Sequence, residues 1–189
     1  NSKKYYTDDN GWHLIQLYKA DIDSAGNWKN IVKLPFNSDQ FDTGHPSLNA
    51  NDTKLYFTSN RPGSLGLTDI WAVDINNDAT YSDPYNLGPK VNTTRSEMFP
   101  YIDNNNVLYY SSDGLQDGNG GLDIYAVKIE DKLGIGKAIN LGFPLNSSKD
   151  DFSLVFQNGK KTGHFSSNID GGKGDDDIYY FEELINPIA

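Results

Sequence analysis

No cysteine occurs anywhere in the chain, which removes disulfide frameworks and thiolate metal sites from consideration. That absence is compatible with oxidising and reducing compartments alike. No apolar run approaches the roughly 18 residues that a membrane-spanning helix needs. No signal peptide is visible and the first residue is Asn1, so the start is expected to be processed, cut or chosen. Positive charge is scarce: 16 Lys and Arg stand against 26 Asp and Glu, a formal charge of -10. That balance argues against nucleic-acid backbones and anionic membrane surfaces as partners. Arginine is limited to Arg61 and Arg95. No segment carries a sustained 3.6-residue apolar period, so long amphipathic helices are not expected.

Turn formers and aromatics are abundant instead. Gly, Asn and Asp alternate with short runs rich in Tyr, Phe, Val and Ile, the composition of many short strands joined by tight turns. The chain reads as all-β. A repeat organises it. "TDIWAV" at 68–73, "LDIYAV" at 122–127 and "DDIYYF" at 176–181 place Asp69, Asp123 and Asp177 at equal steps along the chain. Each follows a glycine-rich turn, and each turn follows another strand: "KLYFTS" at 54–59, "VLYYSS" at 107–112 and "KTGHFSS" at 161–167. Shorter apolar pieces precede these ("HPSL" at 45–48, "FPYI" at 99–102, "FSLVF" at 152–156), and "YNLG" at 85–88 or "INLGFPLN" at 139–146 closes the unit. "IVKLPFN" at 31–37 is the same closing element one unit earlier.

Four antiparallel strands in about 50 residues are the signature of a β-propeller blade. "DIWAV" supports this, because both alternating sets are apolar, as a sheet sandwiched between two neighbours requires. One full step before Asp69 lies Ile15, so "WHLIQLY" at 12–18 and "KKYY" at 3–6 are expected to form the first unit's strands. The expected division is an incomplete blade at 1–41, whole blades at 42–95 and 96–149, and an incomplete blade at 150–189. Nearly four blades make a part of a larger propeller the preferred reading, with a small four-bladed ring as the alternative.

"GGKGDDDIYYF" at 171–181 fits the glycine-aspartate pattern of calcium-binding β-helix turns. Only its last Asp recurs in the other units, and it recurs once per unit rather than at every ninth position. The structural reading is therefore preferred: Asp69, Asp123 and Asp177 each accept backbone N–H bonds from their own glycine turn. The functional alternative is a weak calcium site at Asp175 and Asp176, or at Asp113 and Asp117.

"NSSKDDFSLVFQNGKKTGHFSSNIDGGKGDDDIYYF" and "FTSNRPGSLGLTDIW" closely resemble the TolB-type, WD-repeat-like propeller blades of Bacteroidetes OmpA-family outer-membrane-associated proteins. The second unit departs from the pattern, with Ser112-Asp113-Gly114 in place of Ser-Asn-Arg. The resemblance implies a non-catalytic protein-interaction scaffold of the cell envelope, periplasmic and outer-membrane associated, with some members linked to type IX secretion. It implies protein partners, no cofactor, further blades outside this chain, and peptidoglycan contact only through an OmpA-like domain that this chain does not contain.

Propellers bind partners through loops that the blades hold rigidly. The loops after the second strand of each unit nominate Asn60, Arg61, Asp113 and Asn168, for which turn chemistry is the competing role. A propeller-type carbohydrate-active or peptidase-associated enzyme domain is the alternative function. Two arginines are too few for a sialidase carboxylate cluster, and no Gly-x-Ser-x-Gly elbow is present. His13, His45 and His164 lack partners at metal spacing and read as packing or channel-lining residues.

Overall fold

A computed structural model describes residue 11 and residues 14–130, 134–157 and 160–184. These residues form antiparallel sheets and no helix. The first sheet pairs β1 (Tyr18–Ile22) with β2 (Trp28–Lys33). The second is a meander of β3 (Thr43–Leu48), β4 (Lys54–Ser59), β5 (Asp69–Asp74) and β6 (Tyr85–Asn86). The third runs β7 (Glu97–Ile102), β8 (Val107–Ser112) and β9 (Asp123–Glu130), and its outer position is shared by β10 (Gly134–Ile135) and β11 (Ile139–Asn140), both paired to β9. The fourth holds β12 (Asp151–Phe156), β13 (Thr162–Ser167) and β14 (Asp177–Glu182).

The central strands β4, β5, β8 and β9 bury both faces, and the buried sets pack successive sheets together. Leu17, Leu34, Phe36, Leu55, Phe57, Trp71 and Val73 fill the space between the first and second sheets. Tyr56, Ile70, Ala72, Leu108, Tyr110, Tyr125 and Val127 join the second to the third. Val107, Tyr109, Ile124, Ala126, Leu154 and Phe165 join the third to the fourth. Alternation assigns the two sets of one strand to opposite neighbours: Ile70 and Ala72 face forward in the chain, Trp71 and Val73 backward.

Each inner strand is broken at the same place. The register slips between Gly44 and Ser47, Met98 and Tyr101, and Phe152 and Val155. Within the slips His45, Phe99 and Ser153 hold positive φ (48°, 54° and 56°), and these three stand at equivalent positions of their units. A left-handed non-glycine residue costs roughly 1–2 kcal/mol, and three at one repeat position mark a bulge built into the unit. Pro46 and Pro100 fall inside the slips, where no ladder bond is required of them.

One expectation needs correction. The strand foreseen at 12–18 is displaced: β1 begins at Tyr18, and residues 14–17 run outside any strand. Its repeat partner shows why. Leu17, not Gln16, takes the hydrogen-bonding place that Ile70 and Ile124 hold in later units, so the first step of the repeat is shorter by a single position. The strand foreseen at 3–6 lies outside the described residues.

Candidate functional site

The polar side chains that recur turn inward to the backbone. Asp69 accepts from Leu65 N (2.7 Å) and Gly66 N (3.1 Å). Asp123 accepts from Asn119 N (2.8 Å) and Gly120 N (3.1 Å), and Asp177 from Lys173 N (2.7 Å) and Gly174 N (3.2 Å). Each carboxylate thereby ties the glycine turn to the start of the third strand. Burial of Asp123 holds its carboxyl above the usual range, against the two N–H bonds that favour the charged form.

The glycines have a separate reason. A Cβ on Gly66 would collide with the carbonyl oxygen of Arg95, and one on Gly120 with that of Lys149. The connection leading into the next sheet crosses there, held by Leu67 N donating to Arg95 O and Gly121 N to Lys149 O. Gly174, the third of the set, has open space around it apart from its own turn.

Asn60, Asp113 and Asn168 share one role in the structure. Their side-chain oxygens accept from Asp42 N (2.7 Å), Ser96 N (2.8 Å) and Asp150 N (2.8 Å). Asp113 also takes an exposed ion pair from Arg95 at 2.8 Å. Arg61 stands apart, with only 7% of its surface exposed. Its guanidinium lies 4.8–6.0 Å from the ring centres of Phe57, Phe41, Trp71 and Phe36. It donates to Phe36 O (3.1 Å), Thr43 Oγ1 (3.3 Å) and Ser59 Oγ (3.1 Å), and burial lowers its pKa to about 10. These bonds and rings occupy the guanidinium within the fold rather than at the rim.

Sequence reading missed a third set. Asn92 Oδ1 accepts from Ile70 N (2.8 Å) while its Nδ2 donates to Ile70 O (2.9 Å). Asn146 does the same to Ile124 (2.7 and 2.9 Å), and Asn37 to Leu17 (2.9 and 2.6 Å). The signal was available as three asparagines closing "LPFN", "LGPKVN" and "LGFPLN", but each looked like an ordinary turn residue.

The remaining chemistry gathers at the opposite end of the sheets, where the turns between first and second strands meet. A cleft of about 600 Å³ is bordered there by Leu48, Asp103, Asn104, Gln157, Lys160 and Glu183, with Tyr101, Tyr109 and Phe156 on its wall. The three rings pack within 5.3–6.3 Å of one another. Burial raises the phenol pKa of both tyrosines. Along the inner strands His45 stacks on Phe99 at 4.1 Å, and Phe99 meets Phe152 at 5.1 Å. His45 is held below its ordinary pKa by burial. His164 packs edge-on against Tyr180 at 5.7 Å; His13 lies outside the described residues.

Asp175 and Asp176 are exposed. Among the described residues, no group of three or more His, Asp or Glu is arranged to hold a metal ion.

No protein-family model matches the chain, and no curated protein matches it. Among solved structures, an alpha-L-arabinofuranosidase from Lactobacillus brevis aligns with a TM-score of 0.50 at 18% identity, over 77% of this chain and 50% of that one. The chain thus spans about half the length of that structure. At this identity the likeness concerns fold alone.

Proposed function

We propose that this chain is a non-catalytic interaction scaffold, a run of four-stranded propeller blades from a larger propeller in the bacterial envelope. The observation that carries the reading is where the recurring polar chemistry goes. Asp69, Asp123 and Asp177, with Asn60, Asp113 and Asn168, make backbone bonds that hold turns and connections in place. A frame so occupied leaves variation to the hairpin end, where the aromatic-walled cleft has a polar rim of mixed charge. An apolar floor with a wet polar rim is the anatomy of a protein-binding patch. The resemblance to OmpA-family envelope blades supplies the address: periplasmic, outer-membrane associated, with a link to type IX secretion, and peptidoglycan contact left to another domain.

The test is site-specific photocrosslinking from position 104 in the native host. The expected result is a discrete envelope-protein adduct that disappears when Tyr101→Ala disrupts the cleft. Turnover of glycan or peptide substrates that is abolished by Asp103→Asn or Glu183→Gln would overturn the scaffold reading in favour of an enzyme.

A further inference from the structure

Two corners of the molecule are built from equivalent positions and packed differently. In the second sheet, Tyr81 pairs with Ile75 just past β5. Its ring meets Phe36 edge-on at 5.4 Å, and Phe36 stacks on Phe57 at 5.1 Å. Lys19 Nζ lies 6.0 Å from the centre of the Tyr81 ring, and the Arg61 guanidinium covers Phe57 at 4.8 Å. Large side chains fill this corner.

In the third sheet, Ile135 pairs with Ile129 at the position of Tyr81. Val91 precedes the clamp Asn92 as Phe36 precedes Asn37. Gly114 N donates to Ser112 Oγ as Arg61 N donates to Ser59 Oγ, so a glycine stands where the second sheet has its arginine. A Cβ on Gly114 would collide with Thr93 Oγ1, so position 114 offers no cover. Two rings and a guanidinium are exchanged for small aliphatic groups and a hydrogen. A cleft of about 880 Å³ opens at this corner, bordered by Lys90, Asp117 and Lys137. Its floor is Leu115, Ile135 and Ala138, each partly buried against the core between the second and third sheets. Lys90 Nζ donates to Ile135 O at 2.6 Å and keeps two further N–H groups to offer.

We propose that this cleft is a docking site for one aromatic side chain, Tyr or Phe, of a partner protein, with an acidic residue beside it. The occupant follows from the corner of the second sheet, where a phenol and a phenyl ring take the corresponding place beside a lysine. Burial of one ring against Leu115, Ile135 and Ala138 supplies the anchor. Lys90 and Lys137 outnumber Asp117 at the border, so an acidic neighbour to the ring is favoured over a basic one. The cleft shares no bordering residue with the one at the hairpin end, and its occupancy is tested separately.

The experiment titrates the isotope-labelled intact chain with the blocked tripeptide acetyl-Glu-Tyr-Glu-amide and follows the backbone amide resonances. Saturable shifts are expected at Gln116, Lys137 and Ala138. Acetyl-Glu-Ala-Glu-amide should bind about tenfold more weakly or worse, the loss of one buried ring. Acetyl-Lys-Tyr-Lys-amide should also bind more weakly. Ile135→Tyr, which writes the second sheet's residue into the third, should abolish binding while the Ile70 and Ile124 amides keep their protection from exchange. Lys137→Glu, at an exposed position, should weaken binding of the acidic peptide with the fold intact. Absence of saturable shifts, or shifts centred away from the cleft, overturns the proposal. Equal binding of the Tyr and Ala peptides does so too, as does equal or tighter binding of the basic peptide, full binding to Ile135→Tyr, or indifference to Lys137→Glu. Free L-tyrosine binding more tightly than the blocked peptide overturns it, because the cleft would then serve a free amino acid. Self-association that shifts the same amides before peptide is added also overturns it, because the cleft would then belong to a second copy.

Discussion

Asn92 grips the backbone of Ile70 at two points, accepting from its N–H at 2.8 Å and donating to its C=O at 2.9 Å. Both residues are buried. One side chain therefore replaces a stretch of missing outer strand, because β6 is only two residues long.

Asn92→Ala leaves a buried donor and a weakened acceptor behind. Destabilisation of about 2–4 kcal/mol is expected, read as a lower urea midpoint. Asn92→Asp should also be costly, since a carboxylate cannot donate to Ile70 O. An unchanged midpoint in both variants would show that the clamp contributes nothing.

Asp123→Ala should destabilise by about 1–3 kcal/mol, the cost of unpairing the turn amides. Asp177→Ala should cost less, because its turn is exposed and water can replace the carboxylate. Equal losses at the two sites would contradict a burial-dependent role.

Arg61 sits among four rings and three acceptors. Arg61→Lys keeps the charge but loses the planar fork. It should still destabilise by roughly 1–3 kcal/mol, since a buried donor set is broken. Full retention of stability in Arg61→Lys would show that only the charge matters.

His45 supplies a pH dependence. Burial lowers its folded-state pKa, so the unfolded chain takes up the proton first as pH falls. Its contribution to stability is present above the ordinary value of about 6.5 and is lost as pH drops below that value toward the folded pKa. Midpoints measured from pH 7.5 to 5 should fall, and His45→Asn, which does not titrate and tolerates positive φ, should flatten that segment. An equal slope in the variant would assign the effect elsewhere.

Much of the strand plan was legible, for a physical reason. Lys54–Ser59 and Val107–Ser112 are apolar on both faces and bounded by turn formers, so their limits could be read directly. The inner strands start two residues before "HPSL" and "FPYI", at Thr43 and Glu97. The left-handed His45 and Phe99 insert an extra residue, interrupt the alternation and hide the first part of each strand. The split of the third outer position into β10 and β11 left no periodic trace, as two-residue pairings carry no pattern. Arg61 sits in a turn motif that reads as exposed, and only the convergence of Phe36, Phe41, Phe57 and Trp71 from distant positions buries it. The cleft was invisible for the same reason, since Tyr101, Tyr109, Phe156 and Lys160 come from two different units.

The central claim is that the recurring polar side chains are frame-building groups, repeated once per unit and spent on the backbone. Residue-resolved hydrogen exchange of the native chain tests it most directly. The account predicts slow exchange at Ile70 and Ile124, whose N–H groups are held by Asn92 and Asn146. It predicts fast exchange at Ile178, the same position, for which no clamp lies among the described residues, and loss of protection at Ile70 in Asn92→Ala. Similar exchange at all three isoleucines, or protection of Ile70 that survives Asn92→Ala in the folded protein, would contradict it.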